Sequence, residues 1–334
     1  GLVRAQFDVI HEWSKQRGEL VQVITGIPYF YRQFGYEMTL ELGGSRFGYA
    51  AHLPPAPEGD TPEPFRLRLA TLEDLPFIRD LYNASLKRSL VSCVWTDDLW
   101  KHEFLEKSKQ NINRRDLHII EESQAGKPVG FIATPPVLWG DKMTATYYEL
   151  LPGYNWYQAT PVVLRYLLKI GQTAPTEDGK EKECKGFRLD LGTEHPAYTA
   201  ASNQLPITNP AYAYYVRVPD LPAFLRLIAP VLEQRLADSV CSGYSGELTI
   251  SFYRNALKMV FKEGKLEDVQ AFKPGAKDKV DAAFPDHTFL HLLFGHRTLA
   301  DLRTLMVDAW ANDQARVLLE VLFPRRHSYI WPVS

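Results

Sequence analysis

Tyr31 stands in the stretch Ile24-Thr-Gly-Ile-Pro-Tyr-Phe-Tyr-Arg-Gln-Phe-Gly-Tyr36, which packs five aromatic residues and two glycines into thirteen positions. Directly before it, Val21-Gln22-Val23-Ile24 reads as a short strand. A strand that empties into a Gly-Ile-Pro turn and then one or two helical turns sets a tyrosine at the carboxyl edge of a sheet, where open sheets take their ligands. A tyrosine hydroxyl, with an ordinary pKa of about 10, keeps its proton at neutral pH and can hand it to a departing group of comparable basicity. The neighbours Tyr29, Phe30, Phe34 and Tyr36 support a second reading, in which Tyr31 is one core aromatic among several.

Other residue types capable of chemistry are sparser. Asp190, Glu194 and His195 could form an acid–base or metal cluster, although His195-Pro196 also reads as a helix start. His287 and His291 fall at i and i+4 on an expected helix, a spacing that can hold a metal. No third ligand lies near them in sequence, so packing and solvation explain them better, and no metal site is expected. The three cysteines, Cys93, Cys184 and Cys241, lie far apart without CxxC spacing. They suit neither a disulfide framework nor a zinc site and fit a reducing, cytoplasmic setting. With 38 basic and 40 acidic residues the net charge is −2, which offers no electrostatic reason to expect nucleic acid or an anionic membrane as partner. No run of eighteen apolar residues marks a membrane span.

The elements that would position these groups fall into three blocks of an α+β chain. In residues 1–52, apolar positions at Leu2-Val3, Phe7, Ile10 and Trp13 predict a helix over 2–16 that stops at Arg17-Gly18. Strands follow at 21–25 and about 36–42. Such a unit cannot bury both faces of its sheet alone. Residues 53–64 hold five prolines in twelve positions and read as a linker. Residues 65–210 open on the alternating Phe65–Leu69 strand. A capping-box-like Thr71–Asp74 then starts a helix whose stripe is Leu75, Ile78, Leu81 and Tyr82. A hairpin is expected from 117–121 and 128–133, then a strand over 144–150, a helix over 161–170 and a strand over 186–191. Residues 211–334 predict a strand at 212–218 and one long helix over 221–237. A hairpin follows at 247–253 and 257–261, continuing towards Phe272, and then helices near 287–294, 299–306 and 312–322. The aromatic tail that ends in Val333-Ser334 is expected to dock.

Gly1-Leu-Val-Arg4, the helix and strand behind it, Gly26 and Tyr31-Arg-Gln-Phe-Gly-Tyr36 resemble the second half of a GNAT-type N-acetyltransferase lobe. Arg68-Leu-Ala-Thr-Leu-Glu-Asp-Leu75 resembles the opening strand and helix of another GNAT lobe. Residues 211–334 resemble a sterol-carrier-protein-like domain. The three-part order resembles the enhanced-intracellular-survival (Eis-like) acetyltransferase family. In that family's pyrophosphate loop Gly1 would be the fourth position, Leu2 the fifth and Val3 the sixth, so the sequence is expected to open partway through the first lobe.

The resemblance implies direct acetyl transfer from acetyl-CoA to an amine substrate, by a homo-oligomer. It assigns Gly1, Leu2, Val3 and Arg4 to the CoA pyrophosphate, since a helix N-terminus favours anions. It gives the backbone of Gly26 and Ile27 to CoA, makes Tyr31 the general acid, and makes the carboxylate of Ser334 the general base. An α-carboxyl group has an ordinary pKa near 3.5; burial beside Tyr329, Ile330, Trp331 and Val333 would raise it and strengthen the base. The second lobe has Pro152-Gly-Tyr-Asn-Trp-Tyr-Gln158 where a CoA loop would stand, so it is expected to wall the substrate pocket instead. Two other readings stay open: a protein that holds an apolar ligand in its sterol-carrier-like domain, and a non-catalytic remnant.

Overall fold

The computed structural model describes residues 1–331 apart from 58, 60, 61, 109, 112, 177, 178, 181, 276 and 277, and without the Ala213 side chain. Ser334 lies outside the described residues. Contacts divide the chain into two compact units, each drawn from two stretches: residues 1–40 with 213–326, and residues 41–212 with 327–334.

In the first unit, helix Leu2–Gln16 ends before Gly18, whose positive φ of 70° stops it. Of the expected apolar stripe only Phe7 is buried, together with Ser14; Leu2, Ile10 and Trp13 remain exposed. Strand Gln22–Ile24 pairs antiparallel with Tyr212–Arg217, and Glu37–Leu42 flanks that strand on its other side. The neighbour this small sheet needs therefore comes from a segment about 190 residues further along. A five-stranded sheet runs in the order 265–272, 256–262, 246–251, 282–283, 310–311, with a parallel pairing only between Gly246–Ser251 and Ala282–Ala283. Phe289 anchors the ring contacts behind it, lying 5.7 Å from Phe252 and from Phe284 and 5.3 Å from Phe323. The helix expected over 221–237 is two helices, Leu221–Leu227 and Ala229–Ala237. Pro230 has no N–H to give the carbonyl of Arg226, and its ring crowds that carbonyl, so the first helix cannot continue.

In the second unit, strands Phe65–Leu69, Asp116–Glu122, Pro128–Thr134 and Tyr147–Leu150 form an antiparallel sheet in that order. The capping box at Thr71 forms with both bonds present. A second sheet orders Ile207–Asn209, Ser45–Tyr49, Gly186–Leu189 and Lys142–Ala145. The strand expected over 144–150 breaks at Thr146. Lys142–Ala145 pairs parallel with Gly186–Leu189, whereas Tyr147–Leu150 stays on Gly130–Ala133. Helix Trp156–Gly171 begins five residues before the expected start, where the Asn155 side chain accepts from Tyr157 N, and it carries Pro161 inside. It covers a core that includes Ile120, Val129, Ile132, Leu164 and Phe187, all fully buried. Ile78, Trp95, Trp100, Ile119 and Phe131 fill the other face.

The segment from His327 to Trp331 docks within this second unit. Leu90 N donates to the His327 carbonyl at 2.8 Å and Tyr329 N to the Val91 carbonyl at 3.2 Å. Trp331, 3% exposed, stacks on Trp95 with centroids 4.6 Å apart and planes 10° from parallel. Among the described residues no helix is long and apolar enough to cross a membrane.

Candidate active site

Strand Gln22–Ile24 runs out into Gly26, whose φ of +150° is a backbone state that L side chains rarely adopt. A Cβ on Gly26 would sit 2.6 Å from the Tyr31 hydroxyl oxygen, so the turn brings backbone directly under the end of that ring. The short 3₁₀ helix Phe30–Phe34 carries Tyr31. It is bounded by two left-handed residues, Tyr29 with φ 64° and Gly35 with φ 86°. Tyr29 is held in that state by a bond from its N–H to the Tyr215 hydroxyl at 2.5 Å.

The half-buried Tyr31 ring packs between Phe7 of the first helix (6.0 Å), Phe30 (5.2 Å) and Tyr215 (5.4 Å). Phe7 stacks on Phe34 at 4.3 Å. The Tyr31 ring packs half-buried against this aromatic cluster, and its hydroxyl lies against Gly26 at the strand end.

The neighbouring hydroxyls are spent, and that of Tyr31 is not. Tyr36 Oη lies 3.0 Å from His11 Nε2 and donates to Gln22 Oε1 at 3.5 Å, while Arg217 donates to the same Gln22 oxygen at 2.7 Å. Burial, and after it Arg217, lowers the His11 pKa, and burial raises that of Tyr36, so this chain of groups stays uncharged at His11 and Tyr36. The Tyr215 hydroxyl takes the Tyr29 N–H. Among the described residues no hydrogen-bond partner meets the Tyr31 hydroxyl. A tyrosine with a fixed ring and an uncommitted O–H is what proton donation to a bound group requires.

Behind this turn Glu37 is buried, with Arg32 on its Oε1 at 2.6 Å, its own neighbour's Met38 N at 2.9 Å and His291 Nε2 at 3.7 Å. Burial alone would raise its pKa; the bonds from His291, Met38 and Arg32 outweigh burial and bring it down to about 2. His291 also lies 3.0 Å from His296 through their Nδ1 atoms. Its role is to tie Glu37 in place. Among the described residues no group of three or more His, Cys, Asp and Glu side chains could hold a metal.

The other expected CoA contacts lie in the same unit. Gly1 caps helix Leu2–Gln16 without a side-chain bond, no acidic residue occupies the first turn, and residues 1–4 are exposed. Arg4 donates to Gln33 Oε1 at 3.2 Å and lies 5.3 Å over the Phe34 ring, which links the helix start to the Tyr31 turn. Ile27 is 66% exposed beside the same turn. Sequence reasoning missed Tyr215 and Gln22, which fix the turn from across the sheet.

In the second unit, the break at Thr146 splays Tyr147–Leu150 from Gly186–Leu189. His195 stands beside this break. Its Nε2 donates to the Tyr148 carbonyl at 3.0 Å, and its Nδ1 accepts from Ala197 N at 3.2 Å as the cap of helix Pro196–Ala200. Trp156 packs edge-on at 5.2 Å. Burial, reinforced by Arg88, lowers the His195 pKa to about 3, so the ring is a neutral peg rather than an acid–base group. A cavity of about 540 Å³ opens beside it, lined also by Tyr329 and Trp331.

The chain is similar over 96% of its length to the GCN5-related N-acetyltransferase from Kribbella flavida, with a TM-score of 0.61, 15% identity and 73% of that chain covered. A conserved protein of unknown function from Enterococcus faecalis V583, described as a probable N-acyltransferase, matches with a TM-score of 0.64 and 14% identity over 98% of this chain and 74% of that one. Eis1 from Mycobacterium abscessus matches with a TM-score of 0.54 and 12% identity over 100% and 77%. At these identities the likeness establishes the fold, which is that of the GCN5-related N-acetyltransferases. No family model and no curated protein matches the sequence.

Proposed function

We propose that this protein is an acyltransferase of the GCN5-related superfamily, moving the acetyl group of acetyl-CoA directly onto an amine, with Tyr31 as the acid that protonates the departing CoA thiolate. The observation that carries this reading is the uncommitted Tyr31 hydroxyl at a strand end, held by Gly26, Phe7 and Tyr215. The family resemblance gives Gly1, Leu2, Val3 and Arg4 to the pyrophosphate, and a helix N-terminus together with the Arg4 charge suits an anion. Gly26 and Ile27 would lie along the pantetheine arm. Likeness to Eis1 over the whole chain supports the finer reading of two acetyltransferase lobes, residues 1–52 and 65–210, and a sterol-carrier-like domain, residues 211–334. Ser334, to which the family resemblance gives the role of base, lies outside the described residues, and the proposal stands on the unit that holds Tyr31.

The test is release of free CoA thiol from acetyl-CoA on incubation with a panel of amines, including diamines, polyamines and lysine peptides. Amine-dependent thiol release with matching acetylated product supports the reading. Release that is absent across the panel, with no acetyl-CoA binding by calorimetry, contradicts it.

A further inference from the structure

The cavity of the second unit is unused by the reading above. Its volume of about 540 Å³ falls in the range that takes a metabolite-sized ligand. Its wall mixes aromatic and polar side chains, with Tyr82, Tyr147, Tyr198 and Trp331 among the aromatic ones. Two guanidinium groups also face it, and they differ in what they have left to give. Arg88 is locked bidentate on Glu149 at 2.8 and 2.5 Å, so its charge is matched. Arg46 has no carboxylate within ion-pair distance among the described residues and lies 5.1 Å over the Tyr198 ring. Tyr198 in turn cannot swing, because its hydroxyl accepts from Leu191 N and sits 3.0 and 3.1 Å from the carbonyls of Leu189 and Gly192.

Among the described residues no other polar group lining the cavity pairs with Arg46. His195 spends both nitrogens on backbone, His327 is paired with Glu41 at 3.0 Å, and Glu194 is exposed. Trp331 adds a buried Nε1–H that no acceptor meets among the described residues. We infer that this cavity binds a small organic anion with an aromatic body, its anionic group on Arg46 and its body against the cavity wall to which Tyr147, Tyr198 and Trp331 contribute. A planar guanidinium suits a carboxylate, and a ring of aromatic faces suits a flat apolar body. Because Trp331 belongs to the docked 327–331 segment, a bound ligand also holds that segment down.

Titration calorimetry of the full chain with 1-naphthaleneacetate, and with the uncharged 1-naphthaleneacetamide of the same shape, tests this. The acid binds with one-to-one stoichiometry and at least about tenfold more tightly than the amide, the gain a charge-assisted bond gives. Arg46→Met erases the preference and Arg46→Lys keeps part of it, both variants melting as the wild type does. Bound acid slows hydrogen exchange in residues 327–331. Tyr31→Phe leaves all of this unchanged, so the outcome is separate from that of the acetyl-transfer assay. Equal affinity for acid and amide, no binding of either, or an undiminished preference in Arg46→Met overturns the inference.

Discussion

At the scale of single residues, His118 shows how burial sets protonation in this fold. It is 4% exposed, with its ring nitrogens 3.0 Å from Thr134 Oγ1 and 2.9 Å from the Tyr166 hydroxyl. Burial lowers its pKa from 6.5 to about 4. The folded value lies below the unfolded one, so the stability it contributes is whole above pH 6.5 and is lost as pH falls from 6.5 towards 4. At pH 5 the loss is about 2 kcal/mol, from the roughly 1.5 pH units between the unfolded value and pH 5 at about 1.36 kcal/mol each. Melting between pH 7 and 5 should therefore be steeper for the wild type than for His118→Gln. Equal slopes would show that the ring is not held neutral. His195, whose pKa burial lowers to about 3, acts in the same direction.

At the scale of elements, Trp331 is the chief apolar anchor of the 327–331 segment. Trp331 lies between Trp95, Tyr147 at 4.6 Å, and the Arg115 guanidinium 4.7 Å over its ring. Arg115 is itself anchored to the buried Glu103 at 3.3 Å, which also takes Lys107 at 2.7 Å. Replacing Trp331 by Ala should cost about 3–5 kcal/mol and speed exchange at the Leu90 and Tyr329 amides, which bond across the same contact. Unchanged exchange there would mean that the backbone bonds alone hold the segment. The sequence showed this aromatic tail, but its partners are Trp95, Trp100 and Arg115, more than 200 residues away, and no local pattern names them. Alternation made Phe65–Leu69 and the 116–122/128–134 hairpin legible. Ser45–Tyr49 and Ile207–Asn209 were not legible, because each is short and pairs only with distant strands.

At the scale of the whole molecule, each unit is closed by a segment distant in sequence: 213–326 joins 1–40, and 327–331 joins 41–212. This explains which parts of the candidate site could be read. The Gly26–Tyr36 turn is local, so its glycines and aromatics announced a strand-edge tyrosine. Tyr215, which fixes that turn, lies 186 residues from the Tyr29 amide it binds, and only the folded chain brings the two together.

The central claim is that Tyr31 gives a proton to the departing thiolate, and comparing Tyr31→Phe with the wild type in amine-dependent thiol release tests it most directly. The substitution removes one oxygen and leaves the ring packed on Phe7, Phe30 and Tyr215, so the fold and acetyl-CoA affinity should persist. The account predicts a fall in kcat of about 10²-fold or more, the contribution of a positioned acid, with the KM for acetyl-CoA within a few-fold of wild type. A kcat equal to that of the wild type would contradict it.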